Sequence, residues 1–222
     1  MTGGNGFIGK YFVKYLLEMG QELINIDKLT YAADKKIQPW FYEQPNYSFI
    51  HGDVAHLETI PECDFIVNFA AESHVDNSIR KSTHFTTTNA IGVQNLLEIV
   101  RTYEPSLRPV FVQISTDEVY GDNAEGYFTE DSPLRPSNPY SASKAAGENI
   151  LYAYARTYDI KYQTVRMCNN YGIRQYPEKL IPRSILRLLG GRKAQLHGNG
   201  SYLRSWLNVQ DAVEAILIVI TK

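Results

Sequence analysis

The sequence contains only two cysteines, Cys63 and Cys168. They lie far apart, and neither has a partner at the short spacing of a zinc or disulfide motif, so we expect no disulfide framework and no metal site. The sequence also lacks an apolar run near the roughly 20 residues that a bilayer span requires, and its N-terminus lacks the pattern of a signal peptide. These absences predict a cytoplasmic protein with no membrane partner.

An excess of either charge is also missing, because 22 lysines and arginines stand against 24 aspartates and glutamates. Without a basic stripe the chain cannot neutralise a phosphate backbone, so we expect no nucleic-acid partner. With 44% hydrophobic and 21% charged residues, the 222-residue chain has the composition of a globular protein with one large α/β domain or two small ones.

Amphipathic helical stretches alternate along the chain with short apolar runs, which is typical of βαβ units around a parallel sheet. The predicted strands cover 23–26, 47–51, 65–69, 110–115 and 162–166. The predicted helices cover 7–19, 82–103, 140–158, 179–189 and 211–221. The segment 121–139 is rich in Gly, Asp, Asn, Pro and Ser, which predicts a long functional loop.

Both the GxGxxG and the GxxGxxG spacing occur among four glycines near the N-terminus, Gly3, Gly4, Gly6 and Gly9. Such glycines let a pyrophosphate approach the positive end of a helix, although glycine clusters more often form ordinary turns. Asp27 strengthens the nucleotide interpretation, because it ends the next predicted strand, where a carboxylate can accept hydrogen bonds from ribose hydroxyls. The pattern predicts NAD rather than NADP, whose 2′-phosphate would meet this carboxylate; Lys28 partly offsets that preference.

Tyr140 and Lys144 form a YxxxK pair at the start of a predicted helix, and their i,i+4 spacing places them on one face. An ordinary phenol has a pKa of about 10, so a phenolate base near pH 7 requires a pKa lowered by roughly 3. Lys144 and a positively charged nicotinamide can supply that change. The pair is common by chance, and its weight comes from its position after the glycines and after Ser115-Thr116.

An acidic pair, Asp117-Glu118, follows Ser115-Thr116 directly at the end of a predicted strand. Two adjacent carboxyl groups can serve as acid and base if their environments separate their pKa values. A serine or threonine followed by acids is also how many helices begin, so a structural interpretation stays open.

Together these motifs resemble the nucleotide-sugar 4,6-dehydratases of the extended short-chain dehydrogenase family, in particular those acting on dTDP-glucose. Epimerases of that family have small or polar residues where this chain has Asp117-Glu118. The resemblance covers most of the chain and is closest in segments 27–32, 68–76, 139–145, 169–172, 176–182 and 204–207. The chain departs from the family pattern at Ile173, where a proline is usual, and at Ser205, where an acid is usual.

The resemblance implies an α/β fold: a Rossmann-type doubly wound parallel sheet with the start of a smaller substrate-binding lobe. It places the NAD-binding domain at 1–166 and the partial lobe, interleaved with the last Rossmann elements, at 167–222. The family's first strand and C-terminal part have no counterpart in this sequence. We therefore expect two sheet strands without a full partner between them, and low stability of the isolated chain. Family members commonly form homodimers through helices equivalent to 82–103 and 140–158.

The resemblance also implies roles for individual residues. Catalytic roles fall to Thr116, Asp117, Glu118, Tyr140 and Lys144. Cofactor contacts fall to Gly3, Gly6, Phe7, Ile8, Gly9, Asp27, Lys28, Asp53, Val54, Ala70, Ala71, Ser115, Tyr140 and Lys144. Contacts with the nucleotide sugar fall to Glu72, Asn169, Lys179, Leu180 and Arg204. For Asp53 a simple Gly-Asp turn explains the residue equally well.

The expected activity is NAD-dependent dehydration of dTDP-glucose or UDP-glucose to a 4-keto-6-deoxy sugar nucleotide. A nucleotide-sugar 4-epimerase and a UDP-glucuronate decarboxylase share the first oxidation, and Asp117-Glu118 argues against both. A catalytically inactive NAD-binding protein is the alternative from another class. The presence of Tyr140 and Lys144 disfavours it. The sequence leaves thymine and uracil nucleotides undistinguished.

Overall fold

The structure of the protein is a computed structural model that describes residues 1–123, 126–195 and 198–221. The first half of the chain forms α1 (Phe7–Glu18), β1 (Leu23–Asp27), α2 (Gln38–Tyr42), β2 (Tyr47–His51), β3 (Phe65–Asn68), α3 (Val75–Arg80), α4 (Ser82–Thr86) and α5 (Gly92–Arg101). The second half forms β4 (Val110–Thr116), α6 (Pro139–Tyr158), β5 (Tyr162–Met167), β6 (Asn169–Tyr171), α7 (Leu180–Leu189), β7 (Trp206–Asn208) and α8 (Val209–Thr221).

The central sheet is parallel. β1 pairs with β2, and β4 pairs with β3 on one side and with β5 on the other. Thr2 lies between β1 and β3, with single-residue parallel bridges to Ile26 and Asn68. The N–H of Thr2 donates to the carbonyl of Val67 at 3.0 Å, and the N–H of Gly3 donates to the carbonyl of Ile26 at 2.8 Å. The two halves of the sheet are therefore joined by residues 1–3 and not by a full strand.

Helices cover both faces of this sheet because successive strand residues point to opposite sides. Ile66 and Phe111 face a core built mainly with Val93, Leu96 and Leu97 of α5 and Leu151 of α6. Val67 and Val112 face a second core built with Phe12 of α1 and Ala212, Val213 and Ile216 of α8. Two helical layers around a parallel sheet confirm the predicted doubly wound fold.

α5 illustrates how the apolar spacing positions an element. Val93, Leu96, Leu97 and Val100 recur at i, i+3, i+4 and i+7, and all four side chains are completely buried. Burial of each such side chain contributes about 1.5–3 kcal/mol relative to an exposed one. This stripe holds the helix against β3 and β4, whose carboxyl ends carry the candidate site.

The five predicted strands and the helices at 7–19, 140–158, 179–189 and 211–221 are confirmed, with ends that differ by no more than two residues. The predicted helix 82–103 is divided into α4, a π-helical segment (Thr87–Ile91) and α5. The predicted loop 121–139 has no helix or strand among its described residues before α6 begins at Pro139; residues 124 and 125 lie outside the described part.

The short elements α2, α3, β6 and β7 were not predicted, because three to six residues are too few to show a periodic pattern. β6 pairs with β7 in a small separate sheet, and α8 then returns to pack against α1 and β5. The division at residue 167 stays a prediction. Among the described residues, none of the helices combines the length and the apolar character needed to cross a bilayer.

Candidate active site

A cleft of about 280 Å³ lies at the carboxyl ends of the parallel strands, where open α/β sheets bind their ligands. Of the residues predicted from the sequence, it is lined by Gly3, Gly6, Phe7, Ile8, Gly9, Asp27, Lys28, Val54, Ala70, Ala71, Ser115, Thr116, Glu118, Tyr140, Lys144, Asn169 and Lys179. Among the described residues, the lining does not include Asp53, Glu72, Asp117, Leu180 or Arg204.

The glycine-rich turn at one end of the cleft has no room for side chains. A Cβ at Gly3, whose φ is +70°, would lie 2.6 Å from the backbone nitrogen of Ala70. A Cβ at Gly9 would lie 2.3 Å from the carbonyl oxygen of Gly3. α1 begins directly after Gly6, and Gly6 and Phe7 line the cleft, so the positive end of the helix lies at the cleft with no acidic residue in its first turn. This cradle fits a pyrophosphate.

Asp27 lies at the end of β1 and holds the glycine turn in place. One carboxylate oxygen accepts the N–H of Asn5 at 2.9 Å, and the other accepts the N–H of Leu29 at 2.7 Å. The side chain is largely buried but still reaches the cleft wall. Each oxygen has a second lone pair, so the carboxylate can also accept a ribose hydroxyl.

The ammonium of Lys28 lies near two carboxylates that are not part of the cleft lining. Its ammonium lies 3.5 Å from a carboxylate oxygen of Asp53, 3.7 Å from one of Glu72, and 3.1 Å from the hydroxyl of Thr88. Asp53 also accepts the N–H of Ala55 at 3.1 Å, so it stabilises the turn after β2. The positive charge of Lys28 is thus partly neutralised, which weakens the one feature that favoured a 2′-phosphate.

Tyr140 and Lys144 lie on the first turns of α6 and reach the cleft together. The ammonium of Lys144 donates to the carbonyl of Ile114 at 2.6 Å, and burial lowers the pKa of Lys144 to about 8, against the opposing effect of Glu148. Burial and then the charge of Glu118 raise the pKa of Tyr140.

The sequence-based expectation was that Lys144 and a positively charged nicotinamide together lower the pKa of Tyr140, and the structure departs from the part assigned to Lys144. Lys144 is directed at the backbone of β4, whereas the carboxylates of Glu118 and Asp117 act on the phenol in the opposite direction. The hydroxyl of Thr116 is the group that lowers the pKa of Tyr140. In this geometry the neutral phenol is the favoured form.

The acidic pair begins a short 3₁₀ turn, Asp117–Tyr120, that follows β4 directly. Thr116 caps it by accepting the N–H of Glu118 at 3.3 Å, and its hydroxyl donates to Asp117 at 3.2 Å. Burial raises the pKa of Asp117, and the charge of Glu118 raises it further. The segment is a capped turn and also carries Glu118 into the cleft lining. Its interpretation as a helix start and its interpretation as an acid–base pair are therefore compatible.

The predicted substrate contacts divide into two groups. Asn169 and Lys179 line the cleft, and the ammonium of Lys179 donates to the carbonyl of Ser73 at 2.8 Å. Burial lowers the pKa of Lys179. By contrast, Leu180 is half-exposed at the start of α7, and Arg204 is exposed and stacks on Tyr202.

Glu72 borders a separate hollow, and its N–H and carbonyl are both held by the side chain of Asn89, at 2.9 and 3.0 Å. The structure thus brings the predicted oxidation residues and Glu118 into one cleft. It leaves Glu72, Leu180 and Arg204 outside the lining.

Asn138 and Ser78 are site residues that sequence reasoning did not single out. Asn138 donates to Glu118 at 3.1 Å, and the hydroxyl of Ser78 accepts the N–H of Tyr140 at 3.2 Å. Asn138 had a sequence signal, because an asparagine directly before a proline is typical of a helix N-cap. Ser78 had none, since its contact depends on how α3 lies against α6.

The comparison with known proteins assigns the family. A family model described as GDP-mannose 4,6 dehydratase matches residues 1–222. The chain belongs to the nucleotide-sugar 4,6-dehydratase family. Its sequence is 43% identical to the low-salt glycan biosynthesis protein Agl12 of Haloferax volcanii, over 99% of this chain and 72% of that protein. It is 41% identical to the dTDP-glucose 4,6-dehydratase of Haemophilus influenzae, over 100% of this chain and 70% of that protein.

Solved structures place this 4,6-dehydratase family member in the same fold. DesIV, a dTDP-glucose 4,6-dehydratase of Streptomyces venezuelae solved with NAD bound, superposes with a TM-score of 0.93 at 41% identity. The superposition covers 100% of this chain and 71% of DesIV. These matches confirm the family resemblance that the motifs of the sequence indicated.

Proposed function

We propose that the chain catalyses the NAD-dependent dehydration of a nucleoside-diphosphate glucose, dTDP-glucose or UDP-glucose, to the 4-keto-6-deoxy sugar nucleotide. The observation that carries this proposal is the meeting of Tyr140, Lys144 and Glu118 in one cleft, with Asp117 adjacent. A hydroxyl-oxidising pair and an eliminating pair are both needed for this reaction. The relatives named dTDP-glucose 4,6-dehydratase support the substrate class.

The cleft fits NAD. Gly3, Gly6 and Gly9 would hold the pyrophosphate at the N-terminus of α1, and Asp27 would bind the adenosine ribose. Bound NAD would supply the hydride acceptor for C4 and the hydride donor for C6. The remaining chemistry falls to side chains of this chain.

Oxidation at C4 requires a base for the hydroxyl proton. Tyr140 takes that proton as the phenolate, which the positive charge of a bound nicotinamide would favour, while Thr116 hydrogen-bonds the same hydroxyl. Lys144 ties this turn of α6 to β4 through the carbonyl of Ile114. The neutral phenol that burial favours is the form produced by this step. Because the C4 ketone stays in the product, Tyr140 releases this proton to solvent and Asp117 takes one up before the next turnover.

Elimination follows because the C4 ketone acidifies the C5 proton. Glu118 removes that proton, and Asp117, whose pKa burial raises, donates one to the departing C6 hydroxyl, so that water leaves. A proton then returns to C5 from Glu118. The two adjacent acids therefore act in opposite directions, as base and as acid.

Asn169 and Lys179 are the proposed contacts of the diphosphate. The ammonium of Lys179 can form charge-assisted hydrogen bonds with phosphate oxygens. We further propose a cytoplasmic homodimer, with the outer faces of the α4–α5 segment and of α6 as the interface. The exposed side chains of Ile91 and Tyr152 lie on these two segments.

The test is to incubate the protein with NAD and, in separate reactions, with dTDP-glucose, UDP-glucose, GDP-mannose or UDP-glucuronate, and to follow the mass of each sugar nucleotide. Loss of one water from dTDP-glucose or UDP-glucose alone is the expected result. An unchanged mass with a C4 epimer as product would indicate an epimerase. Loss of carbon dioxide from UDP-glucuronate would indicate a decarboxylase, and either outcome would overturn the proposal.

A further inference from the structure

We infer that Asn138 is a positioning residue for the elimination step, because its side-chain amide holds the carboxylate of Glu118 while its other end starts the helix that carries Tyr140. The inference rests on the proposed function, which assigns the C5 proton to Glu118. Asn138 itself is not a catalytic residue, since it acts through Glu118.

The two ends of the Asn138 side chain have different partners. Its Oδ1 accepts the N–H of Ser141 at 2.9 Å, and its Nδ2 donates to Oε2 of Glu118 at 3.1 Å. Its own N–H donates to the hydroxyl of Ser141 at 3.2 Å, which completes a reciprocal capping box. Pro139 then occupies the first helical position, where its missing N–H costs nothing.

The cap determines which end of the amide faces Glu118. The N–H of Ser141 is a backbone donor and requires an acceptor, so the oxygen of Asn138 must point towards the helix. The NH₂ end is therefore left to face the carboxylate. Among residues that cap a helix well, asparagine alone also offers a side-chain N–H at the far end.

A neutral donor suits the surroundings of Glu118. Its carboxylate shares the cleft with Tyr140, lies next to Asp117, and interacts with the charge of Lys179. The Asn138 N–H binds the carboxylate oxygen without adding a charge beside the acid Asp117. It also restricts the carboxylate to one orientation.

The same turn fixes Tyr140. The N–H of Tyr140 donates to the hydroxyl of Ser78, and that hydroxyl donates to the carbonyl of Val75 at 2.6 Å. The base of the elimination and the phenol of the oxidation are thus both held at the first turn of α6. The position of Glu118 depends on the Asn138 side chain, whereas the backbone of Tyr140 is also held by Ser78 of α3.

Capping and positioning can be separated with Asn138→Ser and Asn138→Asp, since serine and aspartate are good N-caps but neither presents the N–H. In Asn138→Ser, Glu118 loses its donor, and in Asn138→Asp it faces a second negative charge. We expect C5 proton exchange with deuterated solvent, and water loss, to slow at least about tenfold in Asn138→Ser and more in Asn138→Asp. Hydrogen exchange over the first turn of α6 should stay as in the wild type.

Asn138→Ala tests the structural role, because it removes the cap and the donor together. It should lose protection at the start of α6 and slow the elimination as Asn138→Ser does. Asn46→Asp is the matched control: within the described part of the chain, the Asn46 amide donates to the backbone carbonyls of Leu17 at 3.4 Å and Gln21 at 2.7 Å, away from the cleft lining. It should leave turnover unchanged.

The outcomes separate this inference from the proposed function. If the wild type removes no water from dTDP-glucose or UDP-glucose, the proposed function fails before any variant is compared. If the wild type does so, and Asn138→Ser and Asn138→Asp match it while Asn138→Ala alone is impaired, Asn138 is only a helix cap. That result would overturn the inference and leave the dehydratase proposal intact.

Discussion

The ammonium of Lys144 donates to the backbone carbonyl of Ile114, 2.6 Å away, and is almost completely buried there. This contact ties the first turns of α6 to β4 immediately before the segment that carries Thr116, Asp117 and Glu118. It also places the titratable ammonium of Lys144 in a poorly solvated position, so the free energy of unfolding should depend on pH.

Lys144 should make the folded protein more stable at alkaline pH. Burial lowers its pKa to about 8, from the ordinary value of 10.5, so the unfolded chain binds the extra proton between these values. The free energy of unfolding should therefore rise as the pH increases from about 8 to 10.5. The gain is at most about 3 kcal/mol.

Chemical denaturation of the wild type and of Lys144→Met at several pH values measures this effect. The difference between the two proteins removes the contributions of other titrating groups, including the tyrosines. A difference in unfolding free energy that stays constant across this pH range would show that Lys144 keeps an ordinary pKa.

Tyr140→Phe should bind NAD normally and fail at the first step, because the ring stays in place while the group that takes the C4 hydroxyl proton is lost. We expect bound NADH to form at least about 10²-fold more slowly on addition of dTDP-glucose. Absorbance of NADH in a single-turnover experiment measures this rate. Near-normal turnover would exclude Tyr140 as the base.

Glu118→Gln should stop the reaction after oxidation. The residues assigned to that step are unchanged, so NADH should form, but the C5 proton has no base and water cannot leave. Bound NADH should accumulate while product formation falls about 10²–10⁴-fold. Absence of both NADH and product, with substrate still bound, would assign the carboxylate to the oxidation or to structure.

Asp117→Asn should affect the leaving group alone. Burial raises the pKa of Asp117, which suits the role of proton donor to the C6 hydroxyl. The variant should exchange the C5 proton with deuterated solvent yet release water slowly. Mass spectrometry of the recovered sugar nucleotide follows both events. Fast water loss in this variant would contradict the role proposed for Asp117.

Gly9→Ala should weaken both folding and NAD binding, because the added Cβ would lie 2.3 Å from the carbonyl oxygen of Gly3 and the turn must shift. We expect a loss of roughly 1–3 kcal/mol in stability. Gly190→Ala is the control, since its Cβ would come no closer than 3.3 Å to its nearest neighbour. Thermal unfolding with and without NAD compares the two variants. Equal behaviour would contradict the close-packed turn.

The sequence by itself determined the α/β class, the order of the main strands and helices, and the family. Those features depend on local patterns: the apolar spacing of α1 and α5, the glycines before α1, and motifs of a few residues each. The glycine turn, Asp27 at the end of β1 and Tyr140 with Lys144 on α6 could be predicted because their spacing along the chain already reflects the geometry of a turn, a strand end or a helix face.

Tertiary structure decided which of the expected side chains share one cleft. Leu180 and Arg204 match the family by sequence, but the cleft lining among the described residues does not include them, because the position of a side chain in a loop or at a helix start depends on distant packing. The division of helix 82–103 by a π-helical segment also needed the fold, since Asn89 there binds the backbone of Glu72 and the hydroxyl of Ser143.

The pKa of Tyr140 was the feature that the sequence predicted least well. Residue spacing placed Lys144 beside Tyr140 and predicted that Lys144, together with a positively charged nicotinamide, lowers the phenol pKa. The fold instead directs the Lys144 ammonium to Ile114 and places Glu118 and Asp117 near the phenol. A pKa depends on burial and on every charge within a few ångströms, and here these groups belong to segments up to 30 residues apart. Only the packing of α6 against β4 and the turn that follows it brings those groups together.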